Sequence, residues 1–128
     1  MLAKTLLRKS CELCHRPANF FILPICRQCL QKLPKPKTID NVFVAFSEDV
    51  DLSLELMLGI AASRFFSSGK KVEAILGNND DYLSYAISWF LKLPLVDFCN
   101  KDVLIVNDYY QKQKTIDNIQ YLYLKTHQ

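Results

Sequence analysis

Two Cys-x-x-Cys pairs lie close together near the start of the sequence, at Cys11 and Cys14 and at Cys26 and Cys29. Each pair places two thiols on one tight turn, and two such turns that face each other provide the four tetrahedral sulfurs that zinc prefers. Thiolates suit zinc because it is a borderline-soft cation. The spacing therefore predicts a structural zinc site with Cys11, Cys14, Cys26 and Cys29 as its ligands.

Two disulfides or a redox pair are the alternatives for these cysteines. They fit the sequence less well, because Leu2, Leu6 and Leu7 are too few for a signal peptide and no βαβ pattern surrounds either pair. We therefore expect a cytoplasmic chain whose thiols stay reduced. His15 follows Cys14 directly and is an alternative ligand, although an exposed histidine beside the turn is the simpler interpretation.

The basic residues are concentrated at the beginning of the chain. Residues 1–40 contain eight of the 16 Lys and Arg residues but only two of the 13 Asp and Glu residues. A small basic module can contact a phosphate backbone, although a lysine-rich solvated linker would give the same count. With half of its 128 residues hydrophobic, the chain has enough apolar side chains for a core. Cys99 has no partner motif and is expected to be a small buried hydrophobic residue.

A proline-containing stretch from Lys32 to Asp40 divides the chain into two parts. Its Leu-Pro-Lys-Pro-Lys-Thr sequence predicts a semi-rigid, extended linker. We therefore expect a zinc-binding module over residues 1–36 and an α/β domain over residues 41–128.

Strand and helix patterns alternate after this linker. Val42–Phe46 is apolar throughout and predicts a buried strand, and Asp49 or Asp51 is expected to cap a helix that continues through Ser67. Alternation of this kind implies an open, mostly parallel sheet with flanking helices. The further elements that we expect are strands at 71–77, 103–106 and 119–124, a short strand that forms within 93–96, and a helix over 80–93 capped by Asn78 or Asn79.

Three aromatic residues, Tyr82, Tyr85 and Trp89, follow one side of that last helix. Partial burial at the edge of the core is the simpler interpretation. The alternative is an aromatic patch that contacts another protein.

A polar segment follows the strand at Val103–Val106. Ligands of open α/β sheets bind beyond the carboxyl ends of the strands, so Asp108 could hold a metal ion or a ribose hydroxyl, or could cap the next turn. The whole stretch to Thr115 resembles the phosphoribosyl-diphosphate loop of type I phosphoribosyltransferases. The paired cysteines followed by Leu33-Pro34, and the later Leu93-Pro94 turn, are similar to one branch, the ComF family of DNA-uptake (competence) proteins.

This resemblance implies a truncated phosphoribosyltransferase-like α/β domain behind the four-cysteine zinc module. It also implies a site for phosphoribosyl diphosphate and Mg²⁺ at Asp108 and Thr115, the two loop residues that match the family. Lys112 and Lys114 could attract a phosphate to the same site as point charges. The partners that it implies are single-stranded DNA and a DNA-translocating helicase or other competence proteins, on the cytoplasmic side.

Several departures from the family's loop affect this expectation. Asn107 replaces the first acid of the pair, and the residues at 111–114 replace a Thr-Thr-Gly-x run. Without glycine the backbone N–H groups curl around a phosphate less easily. The departures favour a degenerate, non-enzymatic ComF-like protein that assists DNA uptake. The alternatives are a weak or active phosphoribosyltransferase and a zinc-stabilised protein–protein adaptor.

Overall fold

The computed structural model describes residues 10–15, 24–77, 80–98, 102–112, 114, 116 and 118–125. Asn78, Asn79, Cys99 and Thr115, on which predictions were made, lie outside this set. None of the described helices is long and apolar enough to cross a bilayer. In chain order the elements are α1 (Arg27–Lys32), β1 (Lys37–Ile39), β2 (Val42–Phe46), α2 (Leu54–Ser67), β3 (Ala74–Leu76), α3 (Tyr82–Leu91), β4 (Leu95–Val96), β5 (Val103–Tyr109) and β6 (Ile119–Lys125).

The strands form one six-stranded sheet in the order β1-β2-β6-β5-β3-β4. Its neighbouring strands are parallel, except for the antiparallel pair β1 and β2. Helix α2 packs on β2 and β6, α3 packs on β3, β4 and β5, and the two helices contact each other. They therefore lie side by side over one face of the sheet. The predicted α/β class, with a mostly parallel sheet and flanking helices, is confirmed.

Both faces of the central strands are buried, which explains their continuous apolar sequences. On the face beneath the helices, Phe43 and Ala45 of β2 join one large cluster with Leu122 of β6. On the opposite face, Val44 of β2 packs with Tyr123 of β6 in a smaller cluster. Every residue of β2 is at most 6% exposed. The prediction of a buried strand over Val42–Phe46 is therefore confirmed.

Strand β1 lies where the sequence predicted an extended linker, and that prediction is wrong for residues 37–39. Lys37 pairs with Val44 and Ile39 with Val42 in a tight hairpin. The two turn residues between the strands, Asp40 and Asn41, have φ angles of 50° and 67°. Asp and Asn tolerate this left-handed conformation, and two consecutive positive φ angles match the right-handed twist of a hairpin.

The caps of the two longer helices differ from those predicted. Ser53 caps α2 in place of Asp49 or Asp51, and its hydroxyl accepts a hydrogen bond from Leu56 N–H at 3.3 Å. Asp81 caps α3 through the backbone N–H of Ser84. Each of these N-terminal segments contains several residues able to cap, so the sequence leaves the choice open.

The segment before β1 does not pack as an isolated module. Cys11, Ile25 and Leu33 belong to the same buried cluster as the core beneath α2 and α3. Arg64 of α2 also donates hydrogen bonds to the carbonyl oxygens of Pro34, at 2.6 Å, and Ala45, at 2.7 Å. Packing is therefore continuous across residues 33–46, and the division into domains at 1–36 and 41–128 stays a prediction.

Candidate metal centre

Two local turns position the four cysteines. In the first, the Cys11 carbonyl accepts a hydrogen bond from His15 N–H at 2.9 Å, and His15 leaves the turn with a φ of 64°. In the second, Cys26 is the N-cap of α1, and its sulfur accepts from Cys29 N–H at 3.5 Å. A hydrogen bond of 2.8 Å from Glu12 N–H to the Pro24 carbonyl joins the two turns. Backbone bonding therefore helps to bring the two Cys-x-x-Cys pairs together.

The four thiols converge as the sequence predicts. The Sγ atoms of Cys11, Cys14, Cys26 and Cys29 all lie within 4.8 Å of one another, and those of Cys14 and Cys26 are 3.5 Å apart. A tetrahedral centre of one zinc and four sulfurs, with bonds of about 2.3 Å, requires sulfurs roughly 3.8 Å apart. The observed spacing fits that requirement, and all four cysteines are free thiols. The donor set therefore suits zinc, which would serve a structural role because four protein ligands leave no open coordination position.

The thiols differ in how readily they ionise. Burial opposes a charge on Cys11, but the backbone N–H groups of Cys14, Cys26 and Leu13 outweigh it and lower the pKa of Cys11 to about 6. The N–H of Cys29 likewise lowers the pKa of Cys26. The hydrogen bond with Cys26, helped by burial, raises the pKa of Cys29 to about 12. The thiolate form is therefore favoured at Cys11 and Cys26 and disfavoured at Cys29. A divalent cation among the four sulfurs would stabilise the thiolate form of each.

His15, the alternative ligand, does not belong to this cluster. Among the described His, Cys, Asp and Glu residues, the group able to hold a metal consists of the four cysteines. His15 is exposed, as its simpler interpretation predicts.

The second predicted site receives less geometric support. Strand β5 does not end at Val106 as predicted but continues to Tyr109, where Asn107 pairs with Tyr123 and Tyr109 with Lys125. Asp108 therefore lies within a strand and is exposed, so its predicted position after the strand is wrong.

The two loop lysines, Lys112 and Lys114, are exposed. No hydrogen bond or ion pair joins either of them to Asp108, all three being described residues. The structure therefore shows no direct bond among these three groups, and the site at Asp108, Lys112 and Lys114 stays a prediction. Thr115, the fourth predicted residue, lies outside the described part of the chain.

A lysine at the same edge of the sheet is already paired. Lys125, at the end of β6, has its Nζ 3.3 Å from Asp49 Oδ1 and 5.0 Å from the centre of the Tyr109 ring. Burial opposes the charge, but the contacts with Tyr109 and Asp49 prevail and raise the pKa of Lys125. Sequence reasoning missed this arrangement, because its members come from three distant segments.

A run of exposed basic side chains begins inside the second cysteine pair. Arg27, Lys32, Lys35 and Lys37 are all exposed, and no acidic residue occurs between residues 24 and 39. These four residues are referred to below as the basic segment. Their positions on α1, on the connection to the sheet and on β1 are fixed by the bonding described above.

Compared with known proteins, the chain matches no family model, no curated protein and no solved structure.

Proposed function

We propose that this chain is a non-enzymatic, zinc-stabilised α/β protein that binds single-stranded DNA through its basic segment. The observation that carries the proposal is the position of Arg27 between two cysteines of the converging cluster, Cys26 and Cys29. A metal held there would fix the first turn of α1 and, with it, the start of the basic segment. The resemblance to the ComF family extends the proposal to DNA uptake on the cytoplasmic side, with a DNA-translocating helicase as partner.

Charge supports DNA over an acidic small molecule as the ligand of this segment. Its cations are distributed along the chain from residue 27 to residue 37, with no acid among them. Such a spread suits the repeated phosphates of a nucleic acid backbone, which release counterions when cations contact them.

The alternative of a phosphoribosyltransferase has less support. Asp108 lies within a strand, and Lys125 at that edge of the sheet is already paired with Asp49. We expect calorimetric titration with phosphoribosyl diphosphate to give no heat of binding, with or without Mg²⁺. Mg²⁺-dependent binding that disappears in Asp108→Ala would instead favour the enzyme.

Fluorescence anisotropy of a labelled single-stranded oligonucleotide tests the DNA proposal. If all four basic side chains contact phosphates, the logarithm of the affinity of zinc-loaded protein should fall with the logarithm of salt concentration with a slope of about −2.8. Lys32→Gln and Lys37→Gln should each reduce the magnitude of this slope by about 0.7. Lys71→Gln removes an exposed lysine elsewhere and is the matched control. Absence of binding at low salt, or slopes unchanged in both variants, would refute the proposal.

A further inference from the structure

An open groove of about 280 Å³ lies between α2 and α3. Leu58 of α2, which is fully buried, contributes to its lining, and Tyr82, Tyr85 and Trp89 line it from α3. The three aromatic residues stand at positions i, i+3 and i+7, so they occupy one face of the helix. They are 49%, 49% and 62% exposed. Helix α3 therefore exposes three large aromatic side chains to solvent along about two helical turns.

The N-terminal ends of the two helices that border this groove are acidic. Glu55 lines it, and Asp51, Asp80 and Asp81 are exposed in the segments that lead into the two helices. No Lys or Arg occurs in residues 48–63 or in residues 72–91. Aromatic side chains can stack on bases, but the surrounding carboxylates would repel phosphates at this surface. The charge therefore favours a cationic partner over a nucleic acid.

The form of the groove favours a peptide over a small molecule. Sites for small molecules enclose most of their ligand, whereas this groove is largely open to solvent. Two adjacent helices with an apolar floor and aromatic anchors at helical spacing match the way in which amphipathic helices are bound. Lys and Arg side chains also pack favourably on the faces of Tyr and Trp rings.

We propose that the groove between α2 and α3 binds a basic amphipathic helix of a partner protein. Apolar side chains of that helix contact Tyr82, Tyr85 and Trp89, and its Lys or Arg side chains lie beside Glu55. This inference is independent of the DNA proposal, because the basic segment and the groove share no residue.

Trp89 provides the readout, since it is the only tryptophan of the chain and lies in the groove. The probes are two synthetic helical peptides of about four turns that carry leucine at the same positions. One has lysine at its polar positions and the other has glutamate. The lysine peptide should shift Trp89 emission to shorter wavelength in a saturable way, with an affinity that falls as salt is added. The glutamate peptide should leave the emission unchanged.

Matched variants locate the binding. Tyr85→Ser and Glu55→Gln should each weaken binding of the lysine peptide at least about fivefold. Glu73→Gln removes the same charge outside the groove and should bind like the parent protein. All three side chains are exposed, so the variants should fold, and far-ultraviolet circular dichroism checks that they do.

Three results would overturn the proposal. The first is no emission shift with the lysine peptide, and the second is equal binding of the glutamate peptide. The third comes from sedimentation of the protein alone. If it self-associates and Tyr85→Ser abolishes the association, the groove is occupied by a second copy of the chain.

Discussion

Glu12 and Ser53, 41 residues apart in the sequence, are joined by two hydrogen bonds. The Glu12 carboxylate accepts one from the backbone N–H of Ser53 and one from its hydroxyl, each at 3.0 Å. Ser53 is the N-cap of α2, and Glu12 lies between two cysteines of the four-cysteine cluster. The first cysteine turn therefore supplies a carboxylate to a helix N-terminus, where negative charge is favourable. The cysteine cluster and the start of α2 are connected through this pair.

The connection predicts non-additive mutational effects. Glu12→Ala and Ser53→Ala should each lower the free energy of unfolding of zinc-loaded protein by about 1 kcal/mol, because each weakens the cap of α2. The double variant should lose clearly less than the sum, since both changes remove the hydrogen bond to the hydroxyl. Urea unfolding measures all three values. Glu48→Ala, which removes an exposed acid from a neighbouring loop position, is the control, and full additivity would contradict the prediction.

Removal of the metal should destabilise the first turn of α2. Without a fixed first cysteine turn, Glu12 is no longer held against Ser53, so the amides that depend on this cap should open more often. Hydrogen exchange at Leu56 and Met57 should accelerate at least about fivefold after chelation. The amide of Leu104, within a paired strand, is the reference. Equal acceleration at Leu104, or none at Leu56, would contradict the prediction.

Zinc affinity should increase with pH. Zinc binds thiolates, so any thiol that is still protonated must release its proton on binding. With a pKa of about 12, Cys29 keeps its proton throughout the neutral range until the metal arrives, whereas Cys11, with a pKa of about 6, has already lost its own. Above a pH of about 6 the logarithm of the affinity should thus rise by about one unit or more per pH unit, and more steeply at lower pH. Competition with a chelator measures the zinc affinity at each pH, and an affinity that does not change with pH would contradict the prediction.

The cysteine cluster was predictable because its signal is local. Two Cys-x-x-Cys turns specify their own geometry, so the sequence identifies Cys11, Cys14, Cys26 and Cys29 without knowledge of the rest of the fold. The alternation of apolar strands and helices likewise predicts the sheet and its flanking helices. What the sequence does not reveal is the contact between Glu12 and Ser53, because neither residue carries a signature of a partner so distant along the chain.

The errors at β1 and β5 have a common physical cause. Both segments carry polar side chains. Backbone pairing defines a strand, however, and polar side chains permit that pairing at a sheet edge or at the end of a strand. Lysines and prolines at and before β1 indicate a linker in place of a strand, and Asn107 and Asp108 interrupt the apolar pattern of β5. The positive φ angles at Asp40 and Asn41 had a recognisable sequence signal, since both residue types favour hairpin turns.

The hairpin gives a direct test of β1. Asn41→Val places a β-branched residue at a φ of 67°, where its Cβ clashes with the backbone, and should lower the free energy of unfolding by about 1–3 kcal/mol. Asn41→Gly should be neutral or stabilising because glycine adopts this conformation freely. Thr38→Val, a β-branched substitution within the strand itself, is the control and should have little effect. A tolerated Asn41→Val would mean that the turn does not adopt this conformation.

Arg64 should hold the segment before β1 against the sheet. Its Nη1 donates to the carbonyls of Pro34 and Ala45, and its guanidinium carbon lies 4.8 Å from the centre of the Phe46 ring. Partial burial lowers the pKa of Arg64. Arg64→Met keeps an apolar stem but leaves both carbonyls without their donor, so we expect a loss of about 2 kcal/mol in the free energy of unfolding.

Arg64→Lys separates the charge of this side chain from its shape. An ammonium keeps the charge and can donate to a carbonyl, but the lysine side chain is shorter and lacks the planar group that stacks on the Phe46 ring, so the loss should be intermediate. Ser63→Ala, an exposed change at the neighbouring position of α2, should cost nothing, because alanine favours a helix at least as well as serine. If urea unfolding gives Arg64→Met the same free energy of unfolding as the parent protein, the continuous packing across residues 33–46 does not depend on Arg64. A free energy of unfolding that decreases from the parent protein to Arg64→Lys and then to Arg64→Met would instead establish Arg64 as the side chain that joins α2 to both segments.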